Sequence, residues 1–97
     1  MKFDWDIKKA AGNQRKHGVT FEEATTMWHE PPEAFFDREH SEFEHRYVAI
    51  GFSEKGRLLV VSLTYRPGGV VRIISARKAS AKEVARYEQA KREKGQI

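Results

Sequence analysis

Residues 58–78 read LLVVSLTYRPGGVVRIISARK, two runs rich in β-branched residues that are joined by a Pro-Gly-Gly turn. Such runs favour strands and Pro67-Gly68-Gly69 favours a tight turn, so the pattern predicts a β-hairpin. The run from Leu58 to Tyr65 is almost continuously apolar, which is typical of a central strand with both faces covered. The second strand is expected from Val70 to Ala76.

Two registers of this hairpin are compatible with the sequence. A three-residue loop pairs Arg66 with Val70 and Thr64 with Arg72, whereas a two-residue Gly-Gly loop pairs Tyr65 with Arg72. Because side chains alternate between faces, the register determines which of these residues surround Arg72.

Two further strands are expected upstream of the hairpin. Residues 45–53 alternate in polarity and place four side chains on one face: Arg46, Val48, Ile50 and Phe52. Ala34-Phe35-Phe36 has the length of a short edge strand. Together with the hairpin, these segments predict a mostly antiparallel sheet of three or four strands.

A first helix is expected from about Asp4 or Asp6 to His17, with Gly18 as its left-handed stop. A second helix begins at once with a capping box, in which Thr20 accepts from the Glu23 amide while Glu23 reaches back, and Pro31-Pro32 ends it.

Another capping box, Ser80-Ala81-Lys82-Glu83, opens a final helix that is expected to run through about Lys91. The order of elements predicts a single α+β domain over residues 1–97, with two N-terminal helices, the sheet and a C-terminal helix.

Composition argues against several classes of protein. The chain of 97 residues has no cysteine, so disulfides and thiolate chemistry are excluded. No segment has the apolar length of a membrane span, and Met1–Asp6 lacks the apolar block of a signal peptide. We therefore expect a cytoplasmic protein that does not contact membranes.

Charge is unevenly distributed along the chain. Residues 20–45 carry eight acidic groups against one arginine, a net −7, whereas the rest of the chain carries 17 basic and 6 acidic groups, or +11. A segregated basic surface suits a polyanion, because lysine and arginine neutralise phosphates and release counterions. The distribution therefore predicts contact with nucleic acid.

Five arginines lie in or beside the predicted strands: Arg46, Arg57, Arg66, Arg72 and Arg77. Guanidinium groups bind phosphate oxygens through two parallel hydrogen bonds and stay charged at any biological pH. RNA carries its own 2′-hydroxyl nucleophile, so such a cluster suits RNA cleavage without a metal or other cofactor. We interpret Arg66, Arg72 and Arg77 as transition-state phosphate ligands, expected to converge on a single phosphodiester. The alternative is that sheet-face arginines pair with Glu44, Glu83 or Glu88.

Four further residues are candidates for the same chemistry. His17, at a helix C-terminus, is a candidate general acid or base, although it also fits a capping role. Lys16 and Arg46 are candidates for holding substrate. Tyr65 is a candidate for stacking on a base, against the alternative of strand packing. His29, His40 and His45 match no zinc-ligand spacing, so we expect no metal.

Motifs that cover nearly the whole chain resemble those of the BrnT toxin family. The N-terminal ones are Phe3-Asp4-Trp5-Asp6, Lys9-Ala10, Asn13, Lys16-His17-Gly18-Val19 and Phe21-Glu22-Glu23-Ala24. The later ones are Glu44-x-Arg46, Ile50-Gly51, Gly56-Arg57, Tyr65-Arg66 and Arg72-Ile73-Ile74-Ser75-Ala76-Arg77-Lys78-Ala79.

This resemblance implies a RelE-like fold, RNA cleavage that stops translation, and neutralisation by a cognate BrnA-type antitoxin. It also implies a heterotetramer that contacts DNA only through the ribbon-helix-helix of the antitoxin. The family's functional positions correspond to Lys16-His17, Arg46, Arg66, Arg72 and Arg77. The acidic segment 20–45 departs from a uniformly basic surface, and we hypothesise that it faces away from RNA and contributes to the antitoxin interface.

Two other functions are compatible with the same residues. A non-catalytic nucleic-acid-binding or translation-regulating module would bind RNA in a salt-sensitive manner without forming product. A structural interaction protein would direct its arginines to an acidic protein partner instead.

Overall fold

The structure, a computed structural model, describes residues 1–95. Its elements in chain order are β1 (Lys2–Asp4), α1 (Ile7–His17), α2 (Phe21–Thr25), a 3₁₀ turn (Thr26–His29), β2 (Glu33–Phe36), β3 (Tyr47–Phe52), β4 (Leu58–Arg66), β5 (Val70–Lys78) and α3 (Ala81–Gly95). The five strands of the described chain form one sheet in the order β1-β5-β4-β3-β2. Strand β1 runs parallel to β5, and the other pairings are antiparallel. The predicted α+β class is confirmed.

Strand β1 is the element that the sequence patterns did not predict. They predict a first helix from about Asp4 or Asp6, but residues 2–4 form a strand that pairs with residues 70–72 of β5. The Phe3 ring packs edge-on against Trp28, with 5.2 Å between centroids. The helix begins only at Ile7, where the Asp6 carboxylate caps it by accepting from the Lys9 amide at 3.0 Å. The sheet therefore has five strands rather than three or four.

The ends of α1 and α2 follow local signals in the sequence. Gly18 has φ 68° and its N–H donates to the Gln14 carbonyl, which ends α1 as predicted. Thr20 Oγ1 accepts from the Glu23 amide at 3.0 Å, which confirms half of the capping box. The other half is wrong, because the Glu23 carboxylate binds Arg57 and Ser53 instead of reaching back.

The central hairpin has the three-residue loop. Arg66 pairs with Val70 and Thr64 with Arg72, while Gly68 and Gly69 take φ values of 83° and 74°. Such left-handed values suit glycine, because it has no Cβ to clash with the backbone. The two-residue alternative is thereby excluded, and Tyr65 lies on the face opposite Arg72.

The hydrophobic core lies between the sheet and the N-terminal helices. The buried side chains of this core are Val19, Phe21, Ala24, Met27, Ala49, Leu59, Val61, Leu63, Val71, Ile73 and Ala76. Asn13 joins α1 to the stretch of β5 that lies beyond its pairing with the short strand β1. Its side chain donates to the Ala76 carbonyl at 2.7 Å and accepts from the Ala76 amide at 3.1 Å. A buried amide that satisfies strand groups in this way replaces a missing strand neighbour.

Helix α3 lies against the opposite face of the sheet. Its start has the full capping box, since Ser80 Oγ accepts from the Glu83 amide and Glu83 Oε1 accepts from the Ser80 amide. Tyr87 packs edge-on against Phe52, and Lys94 pairs with Glu33. The helix extends to Gly95, a turn beyond the predicted end, yet none of its described residues is fully buried. This face is therefore only partly covered.

Across residues 1–95, no helix has both the length and the apolar character needed to cross a bilayer.

Candidate functional site

Four of the predicted arginines lie on the sheet face opposite the core, which we call the open face. Arg72 pairs in register with Thr64, Arg66 with Val70 and Arg77 with Val60. Arg66 and Arg72 lie in alternation with core side chains, and a β-bulge between Ile73 and Ser75 brings Arg77 to the same face, so all three face away from the helices α1 and α2. Arg46 precedes β3 and belongs to the same face, since it contributes to a groove there.

The arginines are nevertheless spread along the open face. Arg77 lies beside Val60 and Arg66 lies six residues farther along β4, a separation of about 20 Å at the usual rise of a strand. The expectation that Arg66, Arg72 and Arg77 converge on one phosphodiester is therefore wrong. The structure instead groups the candidate residues into two clefts.

The larger candidate, which we call the open-face groove, has a volume of about 470 Å³. Its floor is formed by side chains of the three central strands: Val48, Ile50, Val60, Ser62, Ile74 and Ser75. Arg46, Asp37 and His40 contribute from the segment between β2 and β3, and Arg77 and Glu83 contribute from β5 and α3. Charged side chains of both signs therefore lie around an apolar floor that carries two hydroxyl groups.

Arg46 has unused hydrogen-bonding capacity in this groove. Within residues 1–95, its Nε is buried without a hydrogen-bond partner, and Glu44 Oε1 lies 3.5 Å from it, at ion-pair distance. A buried N–H left without an acceptor costs about 1–3 kcal/mol. The Arg46 side chain as a whole is 34% exposed, so a phosphate oxygen in the groove can accept from its terminal Nη groups rather than from the buried Nε.

Arg77 is held by a carboxylate, as the alternative interpretation of the sequence anticipated. Its Nη1 and Nη2 donate to the two Glu83 oxygens at 2.7 and 2.9 Å. The Arg77 guanidinium, helped by the Ser80 amide, lowers the pKa of Glu83 to about 2. The same contact raises the pKa of Arg77. Arg77 is thus fixed in place with part of its charge balanced.

The second cleft, of about 450 Å³, lies at the hairpin end of the sheet and contains Tyr65 and Arg66. The Tyr65 ring is 53% exposed and packs edge-on against Tyr47 with 5.0 Å between centroids. Within residues 1–95, Arg66 forms no ion pair, whereas Arg72 forms one with Asp4, with 3.4 Å between Arg72 Nη1 and Asp4 Oδ1. Arg72 lies on the open face but contributes to neither cleft.

A protein-family model described as the ribonuclease toxin BrnT of a type II toxin–antitoxin system matches residues 5–83. The chain belongs to the BrnT family. The crystal structure of the Brucella abortus ribonuclease toxin BrnT is similar, with a TM-score of 0.66 and 26% identity over 82% of this chain and 97% of that one. No curated protein matches the chain. As a BrnT-family member, it is a ribonuclease toxin of a type II toxin–antitoxin system.

In this BrnT-family chain, Lys16 and His17 lie away from both clefts. They end α1, which packs on the core side of the sheet. The structure therefore does not bring His17 to the arginines of the open face, and its role as an acid or base stays a prediction.

Arg57, the remaining predicted arginine, serves the helix layer of the fold. Its Nε donates to Glu23 Oε2 at 2.9 Å, and its Nη2 donates to the Gly18 carbonyl at 3.2 Å. Together with Ser53, it lowers the pKa of the buried Glu23 against the effect of desolvation. Glu23 is therefore not available as a surface contact, unlike the exposed Glu22 and Glu39 of the same acidic segment.

Asp37 and His40 are the groove residues whose role the sequence did not reveal. In the sequence, His40 is a candidate only for a metal site, and the spacing of the histidines argues against one. Instead, His40 Nδ1 lies 2.9 Å from Asp37 Oδ2. The Asp-x-x-His spacing in the sequence is compatible with this pair, but only the geometry of the loop shows that the two side chains meet.

Proposed function

We propose that this BrnT-family toxin is an endoribonuclease that uses the open-face groove and needs no metal ion. The observation that carries the proposal is that the partly exposed guanidinium groups of Arg46 and Arg77 line the same groove. These groups are cationic at any biological pH and are positioned before substrate arrives. Preorganised positive charge of this kind often lowers the barrier to phosphoryl transfer more than any other effect.

In the proposed reaction, the 2′-hydroxyl of RNA attacks the adjacent phosphate. Negative charge grows on the non-bridging oxygens, where Arg46 donates directly. Arg77 contributes through the guanidinium N–H groups that Glu83 and the Lys78 carbonyl leave unused. Since the nucleophile belongs to the substrate, a metal ion is not needed to generate it.

The second cleft is proposed to hold the RNA strand beside the cleaved bond. Tyr65 is about half exposed and offers a ring on which a base can stack, and Arg66, unpaired among the described residues, offers a cation for a phosphate. Arg72, paired with Asp4, lies between the two clefts along the strand direction and is proposed to guide the backbone. Lys16, which lies away from both clefts, is proposed to contact RNA only at the periphery.

Type II membership implies an antitoxin, and we propose that it is BrnA-like, pairs with the toxin in a heterotetramer and provides all DNA contact. The toxin is proposed to act on translation in the cytoplasm. The exposed part of the acidic segment is proposed to meet the antitoxin, with Glu22 and Glu39 among its charges and Phe43, 96% exposed, within it. If Glu22→Lys combined with Glu39→Lys left antitoxin affinity unchanged, this surface assignment would be wrong.

The test of the enzymatic proposal uses the purified chain, a labelled single-stranded RNA of mixed sequence and excess chelator. Wild-type protein is expected to cleave the RNA but not its 2′-O-methyl counterpart, which lacks the nucleophile. Arg46→Ala is expected to reduce the cleavage rate by about 10²–10³-fold, the usual effect of removing one preorganised donor.

The matched control is Arg86→Ala, which removes an exposed arginine of α3 that lines neither cleft. It is expected to cleave at the wild-type rate. Salt-sensitive RNA binding without product would instead support the non-catalytic module, and cleavage that the chelator abolished would contradict metal independence.

A further inference from the structure

The segment between β2 and β3 is closed by hydrogen bonds around Asp37. The Asp37 amide donates to the Arg46 carbonyl at 2.8 Å, and the Arg46 amide donates to Ser41 Oγ at 3.0 Å. Ser41 Oγ in turn donates to the Asp37 carbonyl. The Asp37 side chain is only 17% exposed. These hydrogen bonds hold Asp37 in place, so its carboxylate can orient a neighbouring side chain.

The Asp37 carboxylate orients His40 through two contacts. Asp37 Oδ1 accepts from the His40 amide at 3.3 Å, and Asp37 Oδ2 lies 2.9 Å from the ring Nδ1. A carboxylate at Nδ1 favours the tautomer that carries its proton there, which leaves the lone pair on Nε2. Over the described chain, Nε2 has no hydrogen-bond partner, and the side chain is 64% exposed at the groove.

The charged groups around His40 come from three elements. Its own segment contributes Asp37, Glu39, Glu42, Glu44 and Arg46; Arg77 comes from β5 and Glu83 from α3. Glu44 and Glu83 are each paired with an arginine, and Asp37 is paired with His40 itself. An imidazole with a free nitrogen therefore lines the same groove as the proposed phosphate ligand Arg46.

We propose that His40 is the general base of this ribonuclease and that Asp37 is its positioning residue. His40 Nε2 takes the proton of the 2′-hydroxyl as the 2′-oxygen forms its bond to phosphorus. The bond from phosphorus to the 5′-oxygen breaks, and the leaving oxygen takes a proton from water. The products are a 2′,3′-cyclic phosphate and a 5′-hydroxyl, and the imidazolium then returns its proton to the resulting hydroxide. The inference rests on the proposed function and replaces His17 in that role.

The test measures cleavage of a labelled single-stranded RNA by the full chain as a function of pH. With wild type, log kcat is expected to rise with pH and reach a plateau, the profile of a reaction that depends on one general base. His40→Ala is expected to lower the plateau by about 10²-fold or more, in the usual range for a general base, and to abolish the rise. RNA affinity is expected to change by less than about threefold, because an imidazole that moves a proton contributes little to binding.

Asp37→Asn tests the orientation separately. An amide at this place keeps an acceptor for the His40 N–H but favours the wrong tautomer, so kcat is expected to fall at least tenfold with KM unchanged. His40→Gln, of similar size, guards against a folding defect in His40→Ala, and thermal unfolding of each variant is compared with wild type. His29→Ala, which removes an exposed histidine that lines neither cleft, is the control for general loss of imidazole.

The outcomes separate the two proposals. If wild type does not cleave RNA, the proposed function itself fails. If wild type cleaves while folded His40→Ala and His40→Gln retain both the rate and the pH profile, only the assignment of His40 is overturned. A loss of the pH-dependent rise in His17→Ala, with His40→Ala unaffected, would restore the histidine that the sequence suggested.

Discussion

Arg57 and Arg46 lie on opposite sides of the same sheet, and their guanidinium groups are used differently. Arg57 donates to the Glu23 carboxylate and to the Gly18 carbonyl, while Ser53 completes the hydrogen bonding of Glu23. In the part of the chain that the structure describes, Arg46 has a single loose ion pair to Glu44 and a buried Nε without an acceptor. The fold supplies hydrogen-bond acceptors for Arg57, whereas within residues 1–95 it leaves the Nε of Arg46 without one.

This difference distinguishes stabilisation from function within one residue type. On the helix side, Arg57 and Glu23 are partners, so their contribution appears as folding free energy. On the open face, hydrogen-bonding capacity is left unused in a groove that also contains His40 and Arg77. The number of arginines alone does not separate these two roles, whereas the partners of each donor do.

The largest expected effect on folding comes from the pair that Arg57 forms with Glu23. Glu23→Gln removes the charge that holds Arg57 and Ser53, and we expect it to lower the free energy of unfolding by about 2–3 kcal/mol. Glu22→Gln changes the neighbouring exposed carboxylate and is expected to stay within about 0.5 kcal/mol. Urea unfolding measures both. Equal losses in the two variants would show that the Glu23 network is not special.

A smaller effect is expected in the second cleft, where it would extend the comparison to RNA binding. Tyr65→Ala removes the exposed ring and is expected to weaken affinity for single-stranded RNA by about 1–2 kcal/mol, or roughly 5–30-fold. Tyr65→Phe keeps the ring and should bind as wild type does. Fluorescence anisotropy with a labelled RNA provides the measurement. If both variants bind normally, the ring serves only to pack against Tyr47.

The smallest effect concerns Glu83, whose pKa falls from 4.5 to about 2 because it is hydrogen-bonded to Arg77. A carboxyl group with a lowered pKa stabilises the fold fully above 4.5, and this contribution is lost as the pH falls from there towards 2. Because the pair is partly exposed, solvent screening limits it to about 1 kcal/mol. Glu83→Gln should therefore show a shallower loss of stability than wild type over this range, as measured by urea unfolding. Parallel curves would mean that the pair contributes nothing to stability.

Several elements were predictable because their signals are local. Gly18 ends α1, Thr20 and Ser80 cap helices, and the hairpin follows from two strand-forming runs around Pro67-Gly68-Gly69. Each of these interactions joins residues a few positions apart, so the residue types themselves carry the information. The shared face of Arg66 and Arg72 belongs to the same class once the loop length is known, whereas Arg77 joins that face only through the β-bulge between Ile73 and Ser75.

Other features depend on contacts between distant parts of the chain. Strand β1 is too short to show a period and exists because residues 2–4 find the edge of β5. Glu23 fits a local reach-back, yet it binds Arg57, 34 residues away. His40 matches no motif by itself and gains its orientation from a loop that Asp37 and Arg46 close.

From the sequence alone come the family resemblance, the α+β class, the central hairpin and the surplus of positive charge outside residues 20–45. Local propensity and residue type are sufficient for these, since they act between neighbours in the chain. Only the tertiary structure decided which arginines are occupied by carboxylates, that Arg46 and His40 share a groove, and that His17 lies elsewhere. Those outcomes depend on distances between side chains far apart in sequence, which only the packing of the sheet and its helices determines.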